Sequence, residues 1–63
     1  MPVITIDLGV MENREQKGEL VRALTDAAVS VTGIPADKFT VFINEMERDN
    51  IGIGGRLLSD ILK

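Results

Sequence analysis

Neither cysteine nor histidine occurs in the 63 residues of this chain, and that absence constrains the fold more than any motif does. By surface-to-volume scaling, a chain this short buries too little apolar surface to be comfortably stable alone. Small folds make up the deficit with disulfides, a structural metal or subunit association. Disulfides need thiols and tight zinc sites need thiolate or imidazole, so association is the route left open. The 44% hydrophobic content is spread along the chain, with no run long enough to cross a bilayer. One domain over residues 1–63, with no membrane span, is expected. The opening MPVITIDLGV lacks the basic start, apolar stretch and small-residue cleavage site of a signal peptide, so the expected location is cytoplasmic. A formal charge of −3 repels phosphate backbones, and the two aromatics, Phe39 and Phe42, read as strand residues. Nucleic-acid binding is therefore disfavoured, and a ribbon-helix-helix DNA binder would need a basic face and a second long helix.

Residues 2–8 are rich in β-branched apolar side chains, with Asp7 the only charge, as in a strand largely buried on both faces. Asn13 followed by Gln16 forms a capping box that starts a helix at Arg14. Leu20, Leu24, Ala27 and Val31, widened by Val21 and Ala28, give that helix one apolar stripe. Gly33 suits a left-handed cap and Pro35 follows, so the helix should stop near Thr32. Its length is then about 28 Å. Residues 39–46 alternate as a second strand, with Phe39, Val41 and Ile43 on one side and Thr40, Phe42 and Asn44 on the other. A strand, a returning helix and a second strand imply a parallel pair with a right-handed crossover. Such a pair leaves one sheet face and both edges uncovered, so copies must associate. Residues 49–55 read as a turn-rich hairpin that packs on a neighbour, and residues 56–63 add a last short helix or strand.

Four features taken together resemble the 4-oxalocrotonate tautomerase family of the tautomerase superfamily. They are Met1-Pro2 before a strand, Glu15-Gln16-Lys17 opening the helix, Glu45-Met46 closing the second strand, and Gly52-Ile53-Gly54-Gly55 in the tail. The similarity covers essentially the whole chain without gaps. It implies an α/β (α+β) subunit of the tautomerase fold, a β-α-β unit with parallel strands and a C-terminal hairpin. It also implies a homo-oligomer in which two subunits share a four-stranded sheet and three such dimers form a hexamer. Active sites in the family lie near the sheet ends and borrow groups from adjacent subunits.

For the chemistry, the resemblance makes Pro2 the catalytic residue once Met1 is removed. A peptide-bonded proline nitrogen has no basicity, whereas a free terminal one is a secondary amine. An exposed α-amino group titrates near about 8, and apolar burial lowers that value towards the range suited to a general base. In the resembling enzymes the neutral proline moves a proton between a carbon next to a carbonyl and a position farther along the conjugated system. No metal or organic cofactor is needed. Without the resemblance, Pro2 would simply start a strand, where its missing donor is harmless.

This sequence departs from the family at the substrate groups. Two arginines that hold a dicarboxylate and an aromatic residue that keeps the pocket dry fall on Glu12, Thr40 and Ile51. Losing one preorganised oxyanion donor costs about 3 to 4 kcal/mol, so the best-known family reaction should run poorly. Thr40 keeps a neutral hydrogen bond and Ile51 can still exclude water. Replacement cations would come from Arg14 at the helix start or Lys38 before the second strand, with Arg48 and Arg56 as further options; solvated surface charge is the bland reading of each. The glycines of residues 52–55 lack the following Lys-Ser or Lys-Thr of a phosphate loop. The expected function is tautomerisation of a small 2-oxo or 2-hydroxy-enoic acid, and the alternative is a non-catalytic or weakly catalytic oligomeric module that kept the fold.

Overall fold

A computed structural model describes all residues, Met1–Lys63. Strand β1 (Val3–Gly9) leads through a short connection to helix α1 (Arg14–Thr32), a single 3₁₀ turn (Ala36–Lys38) and strand β2 (Thr40–Met46). A second 3₁₀ turn (Arg48–Asn50), strands β3 (Gly52–Ile53) and β4 (Arg56–Leu57), and helix α2 (Leu58–Ile61) complete the chain.

Local chemistry sets both ends of α1. The Asn13 side-chain oxygen accepts from the amides of Glu15 at 2.8 Å and Gln16 at 3.4 Å, occupying donors that a helix N-terminus leaves free. The reciprocal half of the expected capping box, Gln16 reaching back, is not formed. At the other end Gly33 takes φ 74° and its amide donates to the Val29 carbonyl, a left-handed stop that costs glycine little. The Thr32 hydroxyl adds a bond to the Ala28 carbonyl at 2.7 Å and accepts from the Ile34 amide at 3.1 Å.

The packed stripe of α1 keeps Leu20, Val21, Leu24 and Ala28 of the expected one and departs from it at Ala27 and Val31. Lys17, Leu20, Val21, Leu24, Thr25, Ala28 and Val29 are half-buried, whereas Ala27 is exposed and Val31 is 87% exposed. An apolar stripe wider than one contact face leaves its orientation to the sheet, and the sheet selects the Val21, Thr25 and Val29 side over the Ala27 and Val31 side.

The strands pair in parallel, from Val3 beside Thr40 to Gly9 beside Met46. Ile4, Ile6 and Leu8 of β1 and Val41, Ile43 and Glu45 of β2 lie on the half-buried face under α1. The opposite face is bare: Val3 is 52% exposed and Phe42 is 54% exposed, and Asn44 donates across the strands to Asp7 at 2.8 Å. Burial of β1 on both faces is therefore corrected to burial on one, because a single chain supplies only one covering layer. The second strand starts at Thr40; Phe39 caps the preceding turn with its amide on the Ala36 carbonyl at 3.1 Å.

The C-terminal hairpin joins β3 and β4 through Gly54 and Gly55, whose φ values are 60° and 85°. Two consecutive positive φ angles mark a type I′ turn, whose twist matches that of the strands. No residue of the chain is fully buried, the accessible surface is 4935 Å² and the radius of gyration is 15.1 Å. A self-contained fold of this length would show about 4000 Å² and about 11 Å. The surplus of about 900 Å² resembles what one partner buries in a standard protein interface.

Candidate active site

The parallel ladder has two ends with different equipment. At the starting end Pro2 leads into β1 and is half-buried, and its carbonyl accepts from the Thr40 amide at 3.1 Å. Thr40 and the preceding Lys38 belong to the same end, since α1 has returned the chain to where β2 starts. Thr40 is half-buried and Lys38 exposed. Met1 is 97% exposed, so its removal takes away almost no packing.

The finishing end carries a groove of about 710 Å³ lined by Gly9, Val10, Glu12, Met46, Glu47, Arg48, Asp49, Ile51, Leu58 and Leu62. Ile51 is tied in place by its carbonyl, which accepts from the Leu58 amide at 2.8 Å, so the short hairpin and α2 form one wall. The 3₁₀ turn that follows β2 curls Arg48 and Asp49 to the rim. Arg14 lies outside this groove and lines a shallower hollow with Glu15, Lys17, Gly18 and Val21 on the first turns of α1.

Between groove and helix sits a polar clasp. Glu45, at an inward-facing position of β2, accepts from the Met11 amide at 3.0 Å through one carboxylate oxygen and forms an ion pair with Lys17 through the other. The Lys17 hydrogen bond and, after it, the Met11 amide hold the Glu45 carboxyl below its ordinary range, against a weaker upward push from desolvation. Met11 separates two groove residues, Val10 and Glu12, so the clasp fixes the loop that carries them.

Pro2 and the groove are thus on opposite ends of β1, separated by more than about 20 Å at the usual strand rise. The substrate-site residues expected from the sequence divide accordingly. Pro2, Thr40 and Lys38 share the starting end; Ile51 and the further cation option Arg48 line the groove, together with Glu12 at the position of a missing family arginine; Arg14 lines the neighbouring hollow. One copy does not bring them together. Sequence reasoning missed Glu47 and Asp49 as groove residues, since only the 3₁₀ turn aligns them with Glu12. Glu45 did carry a signal, since a charged residue following Val41 and Ile43 on the inward side calls for a partner.

The family model described as tautomerase enzyme matches residues 2–61. The chain belongs to the tautomerase family. The 2-hydroxymuconate tautomerase of Bacillus subtilis is 38% identical to this tautomerase chain over 61 residues, covering 97% of it and 98% of the relative. The crystal structure of YwhB, a homologue of 4-oxalocrotonate tautomerase, superposes with a TM-score of 0.84 at 37% identity, over 94% of this chain and 97% of that one. A heterohexamer 4-oxalocrotonate tautomerase from Chloroflexus aurantiacus gives 0.82 at 28% identity, over 97% and 98% of the two chains. The β-α-β unit with its C-terminal hairpin is thus the tautomerase fold, and no helix of this tautomerase chain is long and apolar enough to cross a membrane.

Proposed function

We propose that this chain is a cofactor-independent tautomerase. Pro2, freed by removal of Met1, acts as general base and then general acid in keto-enol or double-bond isomerisation of a small 2-oxo or 2-hydroxy-enoic acid. The observation that carries the reading is the setting of Pro2. It is half-buried at the head of a strand, held through its carbonyl by Thr40, and preceded by a residue that is 97% exposed. Cutting the Met1–Pro2 bond turns an amide nitrogen without basicity into a secondary amine whose backbone position is already fixed. Partial burial disfavours its ammonium form, the direction needed for a base at neutral pH. The amine removes a proton from one end of the conjugated system and returns it at the other, so nothing is consumed.

The working unit is a homo-oligomer. An antiparallel two-fold pairing along the free edges of β1 would set the start of each strand against the end of its copy. Pro2 of one subunit would then approach the Gly9 and Val10 side of the other subunit's groove. The uncovered face bearing Val3 and Phe42 would close in a trimer of such dimers, as the resemblance to 4-oxalocrotonate tautomerase implies.

The test begins with intact mass, to establish that Met1 is gone. Processed protein is then assayed on phenylenolpyruvate and 2-hydroxymuconate beside Pro2→Ala. Turnover with kcat falling by about a hundredfold or more in the variant is expected, the usual scale of general acid–base catalysis. Absence of turnover in processed protein, with no change on substitution, overturns the proposal. The second reading, a module that kept the fold without the activity, is favoured by the exposure of Lys38 and Arg14, neither of which lines the groove. A ¹⁵N titration separates the two. An amine pKa no lower than that of an exposed model amine supports the module.

A further inference from the structure

The groove joins an apolar floor to a rim of one dominant charge. Met46, Ile51, Leu58 and Leu62 supply the floor, while the rim carries Glu12, Glu47 and Asp49 against Arg48 alone. None of these four charged side chains is in an ion pair; the two ion pairs of the chain are Lys17 with Glu45 and Lys63 with Asp60. Three carboxylates facing one guanidinium leave a surplus of two negative charges over a concave apolar surface. Recessed surfaces of one sign concentrate the field that an entering ligand meets.

We propose that this groove is a charge filter for the tail of the substrate, admitting an apolar or ammonium-bearing tail and rejecting one that ends in a second carboxylate. The inference rests on the tautomerase reading above, in which the groove of one subunit faces Pro2 of another. The floor holds the carbon skeleton by excluding water, and the rim sets the sign of what may project past it. Glu12, Glu47 and Asp49 are therefore specificity-determining residues, and they act on tails rather than on the proton transfer itself.

Three isosteric substrates test the filter on protein shown by intact mass to start at Pro2. They are the para-carboxamide, para-aminomethyl and para-carboxy derivatives of phenylenolpyruvate, which are similar in size and differ chiefly in tail charge. The cationic compound should show a higher kcat/KM than the neutral one, and the carboxy compound should be turned over on the order of 30-fold less well than the neutral one. That factor corresponds to unit-charge repulsion across about 8 Å at an effective dielectric near 20. Raising the ionic strength to about 1 M should compress the gap, because the rim is solvent-accessible. Combined Glu12→Gln, Glu47→Gln and Asp49→Asn should narrow the neutral-to-anionic ratio at least about fivefold. Equal turnover of neutral and carboxy substrates in a Pro2-dependent reaction overturns the filter and leaves the tautomerase reading standing. A gap that ignores both salt and rim neutralisation overturns it as well. Failure of all three substrates, with Pro2→Ala indistinguishable from the parent, removes both.

Discussion

The two ends of the β1–β2 ladder solve different problems. The starting end is sparse: Pro2 is held by one backbone hydrogen bond from Thr40, with Phe39 beside it and Lys38 exposed nearby. The finishing end is built up from a 3₁₀ turn, a glycine-turn hairpin, a short helix and the Glu45 clasp. A reactive terminus needs access to processing and to substrate, which the sparse end gives. A binding wall needs fixed side chains, which 63 residues can build only once. On the mechanism proposed above, placing the two functions at opposite ends would leave a single copy incomplete, and catalysis would then require assembly.

The largest expected effect comes from attacking assembly on the bare face. Phe42→Asp places a charge where a dry contact between copies is proposed, and uncompensated burial of a carboxylate costs several kcal/mol. Sedimentation velocity should show the parent as an oligomer and the variant as smaller species that lose helical circular dichroism on dilution. A variant that sediments like the parent would mean that the face carrying Phe42 stays open to solvent, and that the sheet ends are not brought together this way.

A smaller effect sharpens the finishing end alone. Gly55 sits at φ 85°, where an L-residue costs about 1 to 2 kcal/mol. Gly55→Val should lower the melting temperature by roughly 5 to 15 °C for a domain of this size, compared at one protein concentration because association contributes to stability. Gly54→Asn, at φ 60°, should be much milder, since asparagine tolerates that region. Equal losses from the two substitutions would show that the turn is not held in this conformation.

These contrasts also separate what the sequence discloses from what it hides. The helix limits are legible because Asn13 and Gly33 act within a few residues of themselves, and the hairpin because two adjacent glycines permit few turns. The choice of the Val21, Thr25 and Val29 side of α1 over Ala27 and Val31 is not legible, since the packed side includes the polar Thr25 while the open side is apolar, and tertiary packing decides. Exposure of Phe42 in the single chain is hidden for the same reason: a strand rich in apolar residues shows that both faces want cover, not which cover lies within the chain. Glu12 and Ile51 reach the groove through resemblance, whereas Glu47 and Asp49 reach it only through the turn after β2. The Glu45 clasp joins residues far apart along the chain. Only the parity of Val41, Ile43 and Glu45 foreshadows it.

That clasp gives the smallest predicted effect and the one most specific to the finishing end. Lys17 and the Met11 amide stabilise the Glu45 carboxylate and hold its folded-state pKa below the ordinary glutamate value. A depressed folded pKa means that the contribution is fully present above the unfolded value, about 4.3. It is lost as pH falls through the lower folded value. Melting temperatures measured from pH 6 down to pH 2.5 should therefore decline less steeply for Glu45→Gln than for the parent, although the variant starts lower at pH 6. The ion pair is partly exposed, so the difference should shrink in high salt, whereas the bond to the Met11 amide should persist. A parent and variant with parallel profiles over this range would show that the carboxylate is not held by these partners. The loop carrying Val10 and Glu12 would then be positioned by its chain ends alone, and Glu45→Gln would leave discrimination between neutral and anionic tails unchanged.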